Sequence, residues 1–183
     1  MLSSWNSFYV MTGSSAAALT GLVFIVITLI SEKDSAKSES GLSTYTTPTV
    51  VHFSCALLTS AIMCAPFASL VPITVILGLA GVAGMVYVLL IAGRQARMRT
   101  YRPDMEDWTW NVVLPFIAYA TLTAGAIALP LSGSGALFAP ATAVALLIAV
   151  GIHNAWDVVT FLATGKVDLL PDEPPSAIPE KSD

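Results

Sequence analysis

SGLSTYTTPTVVHFSCALLTSAIMCAPFASLVPITVILGLAGVAGMVYVLLIAG, residues 40–93, runs without a single Asp, Glu, Lys or Arg. An apolar α-helix needs about 20 residues to cross the hydrocarbon core of a bilayer. The stretch therefore holds two crossings, and Ala65-Pro66 to Val71-Pro72 marks the turn between them. Residues 1–31 and 108–156 are equally free of charge; the first fits one crossing and the second fits two. All eight Lys and Arg residues lie outside these segments: Lys33 and Lys37, then Arg94, Arg97, Arg99 and Arg102, then Lys166 and Lys181. Cytoplasmic loops are enriched in Lys and Arg. Placing the three basic stretches on one side predicts an all-α, polytopic bundle of five transmembrane helices, with the N-terminus outside and the C-terminus cytoplasmic.

Composition points the same way. The chain is 55% hydrophobic and 11% charged, with a mean hydropathy of +0.76, whereas a soluble domain carries about 25% charged residues. The expected setting is a multi-pass protein of the plasma membrane, of the bacterial inner-membrane type, with the lipid bilayer as its first partner. The first segment lacks the basic n-region of a secretory signal peptide, and too few apolar residues precede Ala16-Ala17-Ala18 for an h-region, so it reads as a retained span. Nucleic acid is not an expected partner. The arginine cluster adjoins a membrane, where it fixes topology and meets anionic lipid at about 1 kcal/mol per charge.

The expected spans are residues 8–30, 48–64, 73–92, 108–129 and 137–163. Trp5 and Tyr9 suit the outer interface, and Trp108 and Trp110 the inner one. Pro48 fits the first turn of the second helix, where a missing N–H costs little; Pro115 is expected to kink the fourth. Gly78, Gly81 and Gly84 in the third span let a neighbouring backbone approach closely. Residues 1–164 form the transmembrane domain. Residues 165–183, rich in proline and acid, are expected to be a disordered cytoplasmic tail.

Polar residues orient the helices, because hydrocarbon has no use for hydroxyls or imidazoles. At 100° per residue, Thr49, His52, Cys55, Ala56, Thr59, Ser60 and Met63 share one side of the second helix. Thr142, Ala149, His153, Asp157 and Thr160 share one side of the fifth, opposite Val144 and Leu147. Asn6, Gly13, Ala17, Thr20 and Thr28 do so on the first; Asn111, Ala118 and Gly125 on the fourth. Small and hydroxylated residues of this kind form helix-packing seams, and that reading covers every Thr, Ser, Gly and Ala among them.

The ionisable groups ask for more, since a charge within a span is expensive and usually functional. His153 and Asp157 are spaced i, i+4 and can touch. The helix boundaries place His52, Asn111, His153, Asn154 and Asp157 in the inner half of the bilayer as one intramembrane polar centre. Histidine changes charge near neutral pH, so a relay or binding pocket for a proton, ion or small solute is a natural use. The leading expectation is a small transport, channel or membrane-complex-associated protein, acting as a homo-oligomer or beside other membrane subunits. The alternative is a b-type haem electron carrier ligated by His52 and His153, and the candidate metal ligands are His52, Cys55 and His153. Matching depth is required of two axial histidines; these boundaries leave an offset of about 6 Å. Cys55 and Cys64 lie roughly 13 Å apart along one helix, too far for a disulfide. There is no HExxH pair, no GxSxG elbow and no P-loop, and so no hydrolytic or nucleotide chemistry to assign.

Overall fold

The computed structural model describes residues 2–33, 39–97 and 105–164. A 3₁₀ turn, Leu2–Trp5, leads into α1 (Asn6–Lys33), followed by α2 (Glu39–Cys64) and α3 (Leu70–Arg97). The fourth span is built of three contiguous pieces: a helical turn α4 (Met105–Trp108), a π-helical segment (Thr109–Val113) and α5 (Leu114–Ser132). A second 3₁₀ turn, Gly133–Leu137, connects to α6 (Phe138–Thr164). Among the described residues, five helical stretches are long and apolar enough to cross a membrane. Large side chains such as Val71, Leu79 and Leu90 point outwards at 59–68% exposure, as a hydrocarbon-facing surface requires and a water-facing one would not bear. The protein is a multi-pass helical membrane bundle.

The helices alternate in direction. α1 and α3 end at Lys33 and Arg97 on what we call the basic end, and the turns at residues 65–69 and Gly133–Leu137 close the opposite, hairpin end. α1 packs against α2, α2 against α6, α6 against α5, and α5 against α3, whereas the consecutive α2 and α3 make little contact. α6 therefore lies in the middle of the bundle and has the largest buried share of any span.

Glycines set how closely the outer pair approaches. A Cβ placed on Gly84 would overlap the Tyr119 ring. One on Gly81 would sit 2.9 Å from the Tyr119 carbonyl oxygen and 3.0 Å from the Thr123 amide nitrogen. Gly78 meets Ala126 at ordinary contact distance. The three glycines thus form one antiparallel seam on α5, the packing the sequence suggested.

Two prolines behave differently from expectation. Pro48 does not start α2, which already begins at Glu39 and carries the proline inside it. A membrane helix tolerates this because neighbouring groups re-satisfy the freed carbonyl. Pro115 follows the π segment rather than kinking an α-helix. Its missing N–H and its ring break the regular ladder at that turn, and the Leu114 N–H donates instead to the Thr109 carbonyl, an i→i−5 bond. The helix widens where a bend was expected.

The inward face of α2 is as anticipated: Thr49, His52, Ala56, Thr59, Ser60 and Met63 are all buried, while Leu58 faces out. That of α6 is not. Val144, Leu147 and Val150 fill the core, and Thr142 and Ala149 are exposed. A central helix must fill volume on several sides, so bulk outweighs polarity there. On α1 the buried set is Tyr9, Thr12, Gly13 and Ala16, with Ala17 and Thr28 exposed. Hydroxyls facing lipid satisfy themselves: Thr28 donates to the Phe24 carbonyl at 2.9 Å and Thr160 to the Trp156 carbonyl at 3.0 Å. Tyr9, expected at the outer interface, is 1% exposed; Trp5 instead takes the boundary position, edge-on to Phe138 at 4.8 Å. The tail proposed for residues 165–183 lies outside the described residues.

Candidate functional site

The residues expected to form one polar centre occupy two places. The first is at the basic end, where α6 and the fourth span run side by side. The π-helical segment sets Trp110 flat against the His153 imidazole, with ring centroids 3.8 Å apart and planes 18° from parallel. His153 Nε2 lies 3.1 Å from Asp157 Oδ2 and 3.9 Å from Glu106 Oε1. The closer approach is an ion-pair contact without the alignment of a hydrogen bond. The imidazole is 23% exposed, and the two carboxylates are 58% and 70% exposed. Asp157 therefore sits on the rim of the bundle rather than deep inside it, and its partner is His153 as the i, i+4 spacing implied. Asn111, half-buried, belongs to the same π segment as Trp110.

The second place is deep in the core. His52 is fully buried, and its Nδ1 lies 2.9 Å from the Tyr119 hydroxyl. Tyr119 is itself 1% exposed, and the Cys55 thiol lies within hydrogen-bonding reach of both Tyr119 and Thr59. Nearer the hairpin end, Ser60 and Thr12 share a hydrogen bond of 3.1 Å between α2 and α1. The His52–Tyr119 bond joins α2 to α5, two helices otherwise held together mainly through α6.

The two places draw on different stretches of the fourth span. Tyr119 is nine residues along its helix from Trp110, or about 13 Å at 1.5 Å per residue. The expected boundaries offset His52 from His153 by about 6 Å; what parts the two histidines in the structure is that they engage different partners, Tyr119 and Trp110. One iron needs its two imidazoles opposed across it at matching depth. Here one histidine is bonded to Tyr119 and the other stacked on Trp110, so a haem held by this pair does not fit. His52, Cys55 and His153 likewise are not gathered as metal ligands, and among the described residues no three His, Cys, Asp or Glu side chains are placed to hold a metal ion.

Asn154, the remaining residue of the expected centre, is buried. It is 7% exposed and next in sequence to His153, three residues beyond Gly151 on α6. Its neighbour one turn away, Gly151, is so close to α2 that an added Cβ would overlap the Phe53 ring.

Two participants escaped the sequence reading. Tyr119 had a usable signal: a phenol in the middle of an apolar span must find a polar partner. Glu106 was assigned to a connector, although its i, i+4 spacing to Trp110 places both on one face. The chain matches no protein-family model, and neither curated protein sequences nor solved structures include one similar to it.

Proposed function

We propose that this bundle is a small transport protein of the plasma membrane that takes up a proton or small cation at its basic end. The observation that carries the reading is the His153 imidazole, fixed by Trp110 and flanked by the carboxylates of Asp157 and Glu106. A histidine changes charge near neutral pH, and two carboxylates concentrate positive charge around it. Such groups near the end of a span mark ion or proton routes more often than architecture. The π-helical segment supports the same view, since these local widenings gather at functional sites. Asp157 and Glu106 face outwards enough to collect the ion, while Asn154 leads inwards.

The test is flux. The purified chain would be placed in vesicles of phosphatidylethanolamine and phosphatidylglycerol with a trapped pH-sensitive dye and an imposed pH gradient. The gradient should collapse severalfold faster than in protein-free vesicles, and His153→Gln and Asp157→Asn should each return it to the protein-free rate. Wild-type protein no faster than empty vesicles would overturn the transport reading.

Orientation follows the basic residues. With the basic end cytoplasmic, a reporter that fluoresces only in the cytoplasm should work when fused after Asp183 and fail in the turn at Ser132. The reverse pattern would place the His153 cluster on the opposite face of the membrane.

A further inference from the structure

Two buried polar atoms near the junction of α2 and α6 have complementary needs. His52 Nε2 and Asn154 Nδ2 are both inaccessible and without a hydrogen-bond partner. His52 is fully buried and Asn154 is 7% exposed. Buried groups of this kind are almost always paired with protein or with ordered water.

Their chemistry fixes what can lie between them. If Nδ1–H of His52 donates to the Tyr119 oxygen, the phenol proton is free to point at Cys55 Sγ, and Nε2 is left as a bare acceptor. Asn154 Nδ2 is a donor. A water molecule accepts from the second and donates to the first; no apolar occupant satisfies either. Depth permits it. Gly151 and Phe53 are level because they touch, and Asn154 lies three residues towards the basic end while His52 lies one, an offset of about 3 Å along the axis. Thr49, buried one turn below His52 on the same face, offers the further polar contact that an internal water usually takes.

We propose that water held between Asn154 and His52 joins the basic-end cluster to the buried His52–Tyr119 pair as one proton relay. A proton delivered through this water bonds to His52 Nε2. The imidazolium so formed keeps its Nδ1–H on the Tyr119 oxygen, and the same water carries the proton away when it is released. One N–H bond forms at His52 Nε2 as one O–H bond of the protonated water breaks, so no oxidation state changes and no other reactant enters. Asn154 is a positioning residue that orients the water. The titratable groups around His52 are Cys55 on its own helix, Tyr119 on α5 and Tyr87 of α3 beside Tyr119; on α6 the titratable neighbour of Asn154 in sequence is His153.

The relay rests on the transport reading, but its water can be tested separately. The chain has only two histidines, so ¹⁵N-histidine labelling gives two imidazole signal sets in solid-state NMR, assigned through His153→Gln. In lipid bilayers, His52 Nε2 should receive magnetisation from water, and Asn154→Leu should abolish that transfer while the His52 Nδ1 signal stays. In vesicles, Asn154→Leu and His52→Leu should each slow proton flux by on the order of tenfold or more, with the intact Trp110–His153 stack reported by the His153 shifts. Absence of water transfer to His52 in the wild type overturns the inference even where flux is present. Transfer present with unchanged flux in Asn154→Leu also overturns the relay. Lack of flux in the wild type sinks the transport reading and the relay with it, leaving the water site to stand or fall by NMR.

Discussion

Gly81→Leu should lower the thermal midpoint of the detergent-solubilised protein by several degrees or more. The added atoms overlap the Thr123 hydroxyl and, behind it, meet backbone: the Tyr119 carbonyl oxygen at 2.9 Å and the Thr123 amide nitrogen at 3.0 Å from the Cβ position. Neither can rotate away, so α3 and α5 must separate along the whole Gly78–Gly81–Gly84 seam. Overpacking of a close-packed interface costs about 1–3 kcal/mol or more. The contrast is Gly21→Leu on α1, where nothing lies within 4 Å of the Cβ position, and which should be neutral or slightly stabilising. Fluorescence-detected gel filtration after heating measures both. Equal midpoints for the two variants would show that the α3–α5 approach is not what holds the seam.

The second large effect concerns the buried pair. Tyr119→Phe removes the partner of His52 Nδ1 and leaves the imidazole with no hydrogen bond from this neighbour. Stranding a buried polar group costs about 1–3 kcal/mol. His52→Leu instead removes the polar ring altogether and leaves the Tyr119 hydroxyl with the Cys55 thiol. The double variant should therefore be less destabilised than the sum of the two single ones, by more than the ~0.3–0.5 kcal/mol within which independent sites add. Unfolding in mixed micelles supplies the cycle. Strict additivity would mean that the 2.9 Å contact contributes nothing to holding α2 and α5 together.

What the sequence made legible follows from where polarity is scarce. Charge is absent from the spans and present between them, so their number and order could be read directly. The inward face of α2 could be read as well, because His52, Thr49, Thr59 and Ser60 all fall on one side and their opposites are plain leucines. α6 defeated the same logic. Both of its faces are apolar, its threonine at position 160 satisfies its hydroxyl on its own helix, and the central position it occupies is decided by the bulk of Val144, Leu147 and Val150. The site was legible as a list of residues and not as an arrangement. The His153–Asp157 contact is local in sequence and was recoverable from spacing. The His52–Tyr119 bond spans 67 positions, and no local spacing announces it.

The π-helical segment has one more consequence. Relative to an α-helical ladder, Thr109–Val113 carries one residue too many in its turn, and that surplus lets α4 and the segment itself present Glu106 and Trp110 to α6 while α5 independently presents Tyr119 and Gly125 to its own neighbours. The two halves of the fourth span are thus uncoupled in rotation. Loss of a single residue within the segment would restore a continuous α-helix and leave the packing of α5 intact, swinging only the short leading turn and its tryptophan away from His153. Anywhere else in the span, the same loss would turn every following side chain by 100°. The span holds a built-in place where length can vary, and the variation would be felt at the basic-end cluster and nowhere in the core.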